Sequence, residues 1–178
     1  MRLKRPRRHV MAAHRQIRPA AGAINECWSI DFVSDALFDG RRIRALTVVD
    51  DYSRESLAIE VGQSITGEQV VMVMKRLSAV RGAPKRIRVD NGPEFVSRAL
   101  DQWAYLHEVT LDFSRPRKPT DNALVESFNG RLRDECLNTN WFLSLDDERH
   151  KVEAWRRYYN ESRPHTSLGY VSPREFAQ

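Results

Sequence analysis

Three carboxylates in this sequence stand where an ordinary acid is hard to explain. Asp31 interrupts the apolar run at residues 27–33, beside Ile30 and Phe32. A buried, unpaired carboxylate costs several kcal/mol, so something must offset it. Asp90 closes a short apolar segment at 86–89 and opens the turn Asp90-Asn91-Gly92-Pro93. The carboxyl end of a strand is where open α/β sheets present ligand sites, although an acid in a turn is also ordinary. Glu126 lies off the apolar stripe of a helix expected over residues 121–137. Asn122, Glu126, Asn129 and Arg133 fall at i, i+4, i+7 and i+11, and so share one face. That face is expected to turn away from the sheet. If the three acids converge, two carboxylates about 4 Å apart repel by roughly 4 kcal/mol at an effective dielectric near 20. They stay ionised when cations sit between them, and hard carboxylate oxygens suit Mg²⁺ or Mn²⁺. Two such ions about 4 Å apart activate the attacking oxygen and stabilise the leaving one in phosphodiester chemistry.

The elements that must position these acids follow from periodicity and turn residues. Residues 27–33 alternate as a strand with Trp28, Ile30 and Phe32 on one face. Asp39-Gly40 signals a hairpin, and the chain returns through 41–50, with an apolar centre at 45–49. Residues 56–61 supply a third strand, completing an antiparallel meander. Val70, Val73, Met74, Leu77 and Val80 then repeat at helical spacing until Gly82 and Pro84 stop them. A fourth strand at 86–89, a helix over 97–108 and a fifth strand at 109–113 follow. The helix over 121–137 is apolar through Leu124, Val125, Phe128 and Leu132. A last helix, 145–160, carries Val152, Trp155 and Tyr159 inward, and the tail at 161–178 reads as irregular. A meander followed by strand–helix units predicts an α/β fold: a five-stranded mixed sheet flanked by helices.

With 178 residues, the chain has the size of one domain and can bury a core without disulfides or structural metal. Cys27 and Cys136 stand alone, which excludes a Cys-x-x-Cys zinc site and fits a reducing compartment. No apolar stretch reaches the roughly 20 residues a membrane helix needs, and no apolar segment follows the basic N-terminus as in a secretory signal. The net charge of +5 is uneven. Residues 1–18 hold Arg2, Lys4, Arg5, Arg7, Arg8, Arg15 and Arg18 with no acid, while the remainder is slightly acidic. Residues 1–24 therefore read as a basic arm and linker, suited to phosphates or simply solvated, and 25–178 as the folded core with its C-terminal tail.

Several segments, in order, resemble one family. Trp28-Ser29-Ile30-Asp31-Phe32, Val89-Asp90-Asn91-Gly92-Pro93-Glu94-Phe95 and Asp121-Asn122-Ala123-Leu124-Val125-Glu126-Ser127-Phe128-Asn129-Gly130 are similar to the catalytic core of orfB-type insertion-sequence transposases, members of the retroviral-integrase superfamily. Asp90 and Glu126 are separated by the 35 residues of that family's D,D(35)E pattern. Arg133 matches its basic position. The stretch from Val49 to Arg54 matches too, as does the tail through Tyr159-Asn160, Arg163-Pro164-His165, Leu168-Gly169-Tyr170 and Pro173.

The resemblance implies a ribonuclease-H-like fold, with Asp31, Asp90 and Glu126 as catalytic residues holding two Mg²⁺ or Mn²⁺ ions. It implies strand cleavage at transposon ends, transfer of the freed 3′-OH to target DNA, and a homo-oligomer on DNA in a prokaryotic, nucleoid-associated cytoplasmic setting. Arg115, Arg117 and Lys118, a basic loop before the Glu126 helix, are assigned to DNA with Arg133. Asn122 is assigned there too, with orienting a metal-bound water or capping the helix start as its alternatives. Glu94 reads as a helix N-terminal acid or a supporting acid near Asp90, and His165 as a brace for the tail. Family members carry an upstream helix-turn-helix that recognises DNA ends. Met1 falls in the basic linker, so that module is expected to be missing. The alternatives are a non-catalytic DNA-binding remnant and a nuclease that only hydrolyses.

Overall fold

The computed structural model describes residues 20–115 and 119–178, and the side chains of Pro119 and Thr120 are not among the described atoms. The expected arm at 1–18 and the loop residues Arg117 and Lys118 lie outside that range. Alternating residues build β1 (Cys27–Ala36), which runs three residues beyond its predicted end. It pairs antiparallel with β2 (Arg42–Asp50), Asp31 opposite Thr47, and β2 pairs antiparallel with β3 (Ser56–Gly62). The chain then crosses through α1 (Gly67–Arg81), begun by a Thr66–Gln69 capping box, to β4 (Arg86–Val89). Here β4 lies parallel to β1. Ser97 caps α2 (Arg98–Leu106), and β5 (Thr110–Phe113) joins β4 in parallel. The five-stranded mixed sheet has the order β3-β2-β1-β4-β5, so β1 is central and borders both the antiparallel and parallel halves.

Both faces of the sheet are covered. Trp28, Ile30, Leu46, Val48, Ile87 and Val89 pack with Met74 of α1 and Leu100 and Trp103 of α2. On the other face Val33, Ala45 and Val49 meet α3 (Ala123–Leu132) and α4 (Leu145–Glu161) through Val125, Phe128, Leu132, Trp155 and Tyr159. Because side chains alternate along a strand, Asp31 shares the face of Val33 and lies beneath α3.

Two boundaries differ from expectation. The helix predicted over 121–137 begins as a 3-10 turn, Pro119–Asn122, runs as α3, and widens into a π-helical turn at Arg133–Leu137, where Asn138 N–H bonds Arg133 O at 2.8 Å. The tail, expected to be irregular, carries a 3-10 turn at Thr166–Leu168, a His165–Val171 bridge and α5 (Pro173–Phe176), held by a Ser172–Glu175 capping box.

Candidate active site

The sheet register brings the first two acids level. Cys27, Trp28 and Ser29 pair with Arg86, Ile87 and Arg88. Continuing that register two steps past its last pair puts Asp90, just beyond the end of β4, level with Asp31 on β1. Asp90 is exposed at the end of β4, and its Oδ1 accepts the Gly92 N–H at 2.8 Å. A Cβ on Gly92 would lie 2.9 Å from that oxygen, so the turn needs glycine to hold the carboxylate this close. Asn91 ties the turn to the end of β5, donating to Ser114 O at 2.8 Å. Glu94 is not a helix cap. It pairs with Arg44 of β2, whose guanidinium lies 4.0 Å from the centre of the Phe32 ring, and this holds the Asp90 loop down over β1.

The third acid arrives on α3, and its orientation corrects the sequence expectation. The face of Asn122, Glu126, Asn129 and Arg133 does not turn away from the sheet; it lies along β1. Asn122 Nδ2 donates to Ile30 O at 3.4 Å, Asn129 Nδ2 to Asp31 Oδ2 at 2.9 Å and Arg133 to Ser34 O at 3.0 Å. Polar groups pack there because strand carbonyls and one carboxylate satisfy them. Thr47, fully buried in β2, fixes the Asn129 amide: its hydroxyl lies 2.8 Å from Asn129 Oδ1 and 3.3 Å from Asp31 O, and its single proton serves the shorter contact. Glu126 itself is exposed.

These contacts set the electrostatics of Asp31. Its Oδ1 accepts the Phe32 N–H at 2.8 Å. Burial, joined by the Asp90 and Glu126 charges, overrides that bond and the Asn129 bond, and pushes the carboxyl up to about 6. The three acids therefore share one electrostatic neighbourhood. Among the described residues, no three Asp, Glu, His or Cys side chains are drawn in tightly enough to form a finished metal cage. The donor set nevertheless fits a hard divalent cation: all three are carboxylates whose mutual repulsion a cation would relieve. Asn122 Oδ1, one helical turn before Glu126, is a buried acceptor without a partner.

The flanking residues divide. Asn122 is buried and makes no side-chain capping bond, so the capping alternative does not fit; its Nδ2 bond to Ile30 O makes it a strut between α3 and β1. Arg115 is exposed but clasps Asp121 through its backbone N–H, Nε and a terminal nitrogen at 2.8–3.0 Å. Arg133 remains exposed. Sequence reasoning missed Thr47 and the role of Asn129. The available signals were a threonine inside an apolar strand and an asparagine three residues after Glu126. The acids of the Val49–Arg54 segment serve structure: Asp50 accepts the Tyr52 and Ser53 N–H groups, and Asp51 pairs with Arg88 at 2.8 Å.

Comparison with known proteins gives the same picture. An integrase core domain family model matches residues 22–119, and a second integrase core domain model matches residues 107–173. A 31.7 kDa protein of insertion element IS407 from Burkholderia multivorans is 52% identical over 177 residues, which is 99% of this chain and 64% of that protein. The chain thus spans under two thirds of that relative. Among solved structures, the simian T-cell lymphotropic virus intasome superposes with a TM-score of 0.78 at 19% identity, covering 90% of this chain and 56% of that one. The HTLV-2 integrase catalytic core domain in complex with magnesium superposes at 0.69 with 17% identity, covering 88% of this chain and 98% of that one.

Proposed function

The chain belongs to the integrase core domain family, and from that premise we propose that it is the catalytic domain of a DDE transposase, joining DNA ends through Asp31, Asp90 and Glu126. The observation that carries this reading is Asp31: a carboxylate in a core strand, level with Asp90, oriented by the helix that bears Glu126, and raised by burial first and then by both of their charges. Asp31, Asp90 and Glu126 would hold two Mg²⁺ or Mn²⁺ ions. When bound, these ions supply activation of the attacking oxygen and charge stabilisation of the leaving one.

The chain's own part is positioning. Asn129 and the Phe32 N–H present one oxygen edge of Asp31 each and stop its rotation. Gly92 sets Asp90, and Glu126 projects from a helix held to β1 on either side of it by Asn122, Asn129 and Arg133. DNA then lies across the exposed carboxylates, with Arg133 and Arg115 contacting its phosphates alongside Arg117 and Lys118. The family resemblance supports end cleavage followed by strand transfer, and a multimer on paired ends.

The test supplies purified protein with Mg²⁺ or Mn²⁺ and a DNA end already bearing a free 3′-OH. Joined products support transposition. Cleavage without joining favours a plain nuclease, and binding alone favours a non-catalytic remnant. Asp31→Asn, Asp90→Asn and Glu126→Gln should each abolish joining while the protein remains folded by circular dichroism; joining retained by any one removes that residue from the site.

A further inference from the structure

Across α3 from the acids is a second cluster whose charges are unbalanced. It begins at the turn after β2, where Asp50 gathers the N–H groups of Tyr52 and Ser53. The turn leaves Arg54 at φ 64°, the left-handed region that suits glycine or asparagine. A bulky residue kept there carries strain, and such outliers concentrate at functional sites. Arg54 is half-buried and has no ion-pair partner among the described residues. Arg131 of α3 is also half-buried; its guanidinium meets His165 Nδ1 at 3.3 Å and, among the described residues, no carboxylate. The nearby Glu135 is committed elsewhere. It takes a two-pronged bond from Arg163 at 2.6–3.1 Å and the Trp155 indole N–H at 3.3 Å.

His165 completes the set. It is 3% exposed. Because Nδ1 faces the Arg131 donor, the ring proton sits on Nε2, and that buried nitrogen has no acceptor. Burial, then Arg163 and Arg131, pushes the ring down to about 4, so it is neutral near pH 7 and still one hydrogen short of a partner. Arg54, Arg131 and His165 line one cavity of about 360 Å³, together with Ser127, Phe128 and Tyr159. Two guanidinium groups without a carboxylate partner among the described residues call for an anion rich in acceptors, and the planar arginine fork matches phosphate oxygens.

We propose that this cavity binds a backbone phosphate of DNA, held by Arg54 and Arg131, with His165 packed behind Arg131. The inference rests on the transposase reading for the presence of DNA. Arg131 lies five residues after Glu126, about 140° around the helix, so the cavity and the acids occupy different flanks of α3. A helix is about 10 Å thick. The bound phosphate is therefore not the reacting one, and Arg54 and Arg131 are positioning residues that set the path of the strand past the acids.

The test measures binding of a duplex end to Arg54→Gln, Arg131→Gln and the double variant across a salt series in Ca²⁺, with Arg157→Gln as a control for loss of an exposed, ion-paired arginine. The double variant should bind about tenfold more weakly at low salt, and its log–log salt slope should be shallower by about 0.9, the loss of one phosphate. Arg157→Gln should change little. Inorganic phosphate should shift the His165 ring resonances of the wild-type protein and not of the double variant. Wild-type affinity and slope in a folded double variant would overturn the proposal, as would an equal loss in Arg157→Gln. Phosphate binding without any effect on DNA would also overturn it, leaving a free-anion site. Should the double variant unfold, Arg131→Gln alone decides by the same readouts. The comparison repeats in the Asp31→Asn background, which lacks the chemistry. There the arginine dependence stands or falls on its own, whether or not the wild-type protein joins DNA ends.

Discussion

Replacing Asn129 with alanine removes two bonds, one to Asp31 and one from Thr47. The bond to Asp31 Oδ2 is 2.9 Å long and ends on a carboxylate, so its net worth is about 1.5–3 kcal/mol. If that orientation is needed in the transition state, each 1.36 kcal/mol is a factor of ten in rate, and Asn129→Ala should slow strand transfer about 10- to 100-fold. Losses of that size are also typical when the partner of a metal ligand is removed. The change leaves the Thr47 hydroxyl buried with only its 3.3 Å contact to Asp31 O, so some stability falls as well. Thr47→Val separates the two effects, since it frees the Asn129 amide without removing a bond to the Asp31 carboxylate and should lower the rate by less. The assay is joining of a pre-cleaved DNA end over a Mg²⁺ titration, with thermal melting as the folding control. The half-saturating Mg²⁺ concentration should rise in Asn129→Ala. A folded Asn129→Ala protein within twofold of wild type at every Mg²⁺ concentration would refute the idea that α3 orients Asp31.

Glu148, in the first turn of α4, is 1% exposed, and its Oε2 has no hydrogen-bond partner. Burial and then Asp35 push it up to about 7 from an ordinary 4.5, so the folded protein holds this proton more tightly than the unfolded chain does. Its cost is absent well below pH 4.5, grows as pH rises, and is complete above 7, at about 3 kcal/mol. Urea unfolding should find Glu148→Gln near neutral at pH 4 and more stable than wild type by about that amount at pH 8; a difference that does not change with pH refutes this. Gly92→Ala sets a Cβ 2.9 Å from Asp90 Oδ1, so joining should fall while the melting temperature of this partly exposed turn stays within a few degrees. Leu132→Ala empties a fully buried site between α3 and the sheet and should cost about 2–5 kcal/mol in denaturant titrations. Deleting residues 1–18 should flatten the salt dependence of DNA binding, by about 6 in log–log slope if all seven basic residues meet phosphates; an unchanged slope returns the arm to solvent.

The strands were legible because alternation is local: Trp28, Ile30 and Phe32 mark one face of β1 with no knowledge of its partners. The acids were legible for the opposite reason, as residues their local pattern rejects. What could not be read is what spans the chain. Asn129 meets Asp31 across 98 residues, and Arg44 meets Glu94 across 50. The orientation of α3 was misjudged because a polar face was equated with solvent. Here β1 supplies the acceptors that water would have supplied, and only the assembled sheet reveals it. The ends of α3 are equally non-local, with a 3-10 entrance and a π-helical exit that periodicity does not register.

That two-sided docking constrains how the acids can close on cations. Val125, Phe128 and Leu132 seat one side of α3 in the core shared with Trp155 and Tyr159, while Asn122, Asn129 and Arg133 bond β1 from the other. Rotating or sliding the helix would break both sets together. Asp31 is held by two hydrogen bonds of its own. The acids with freedom left are Glu126, exposed on a long side chain, and Asp90, exposed and held by the Gly92 N–H in its turn. Closure around a cation would therefore fall to the Glu126 rotamer and the Asp90 turn, against a fixed Asp31. The same rigidity makes α3 a shared wall between the acids and the Arg54–Arg131–His165 cavity, so a phosphate held on one flank is indexed to the carboxylates on the other.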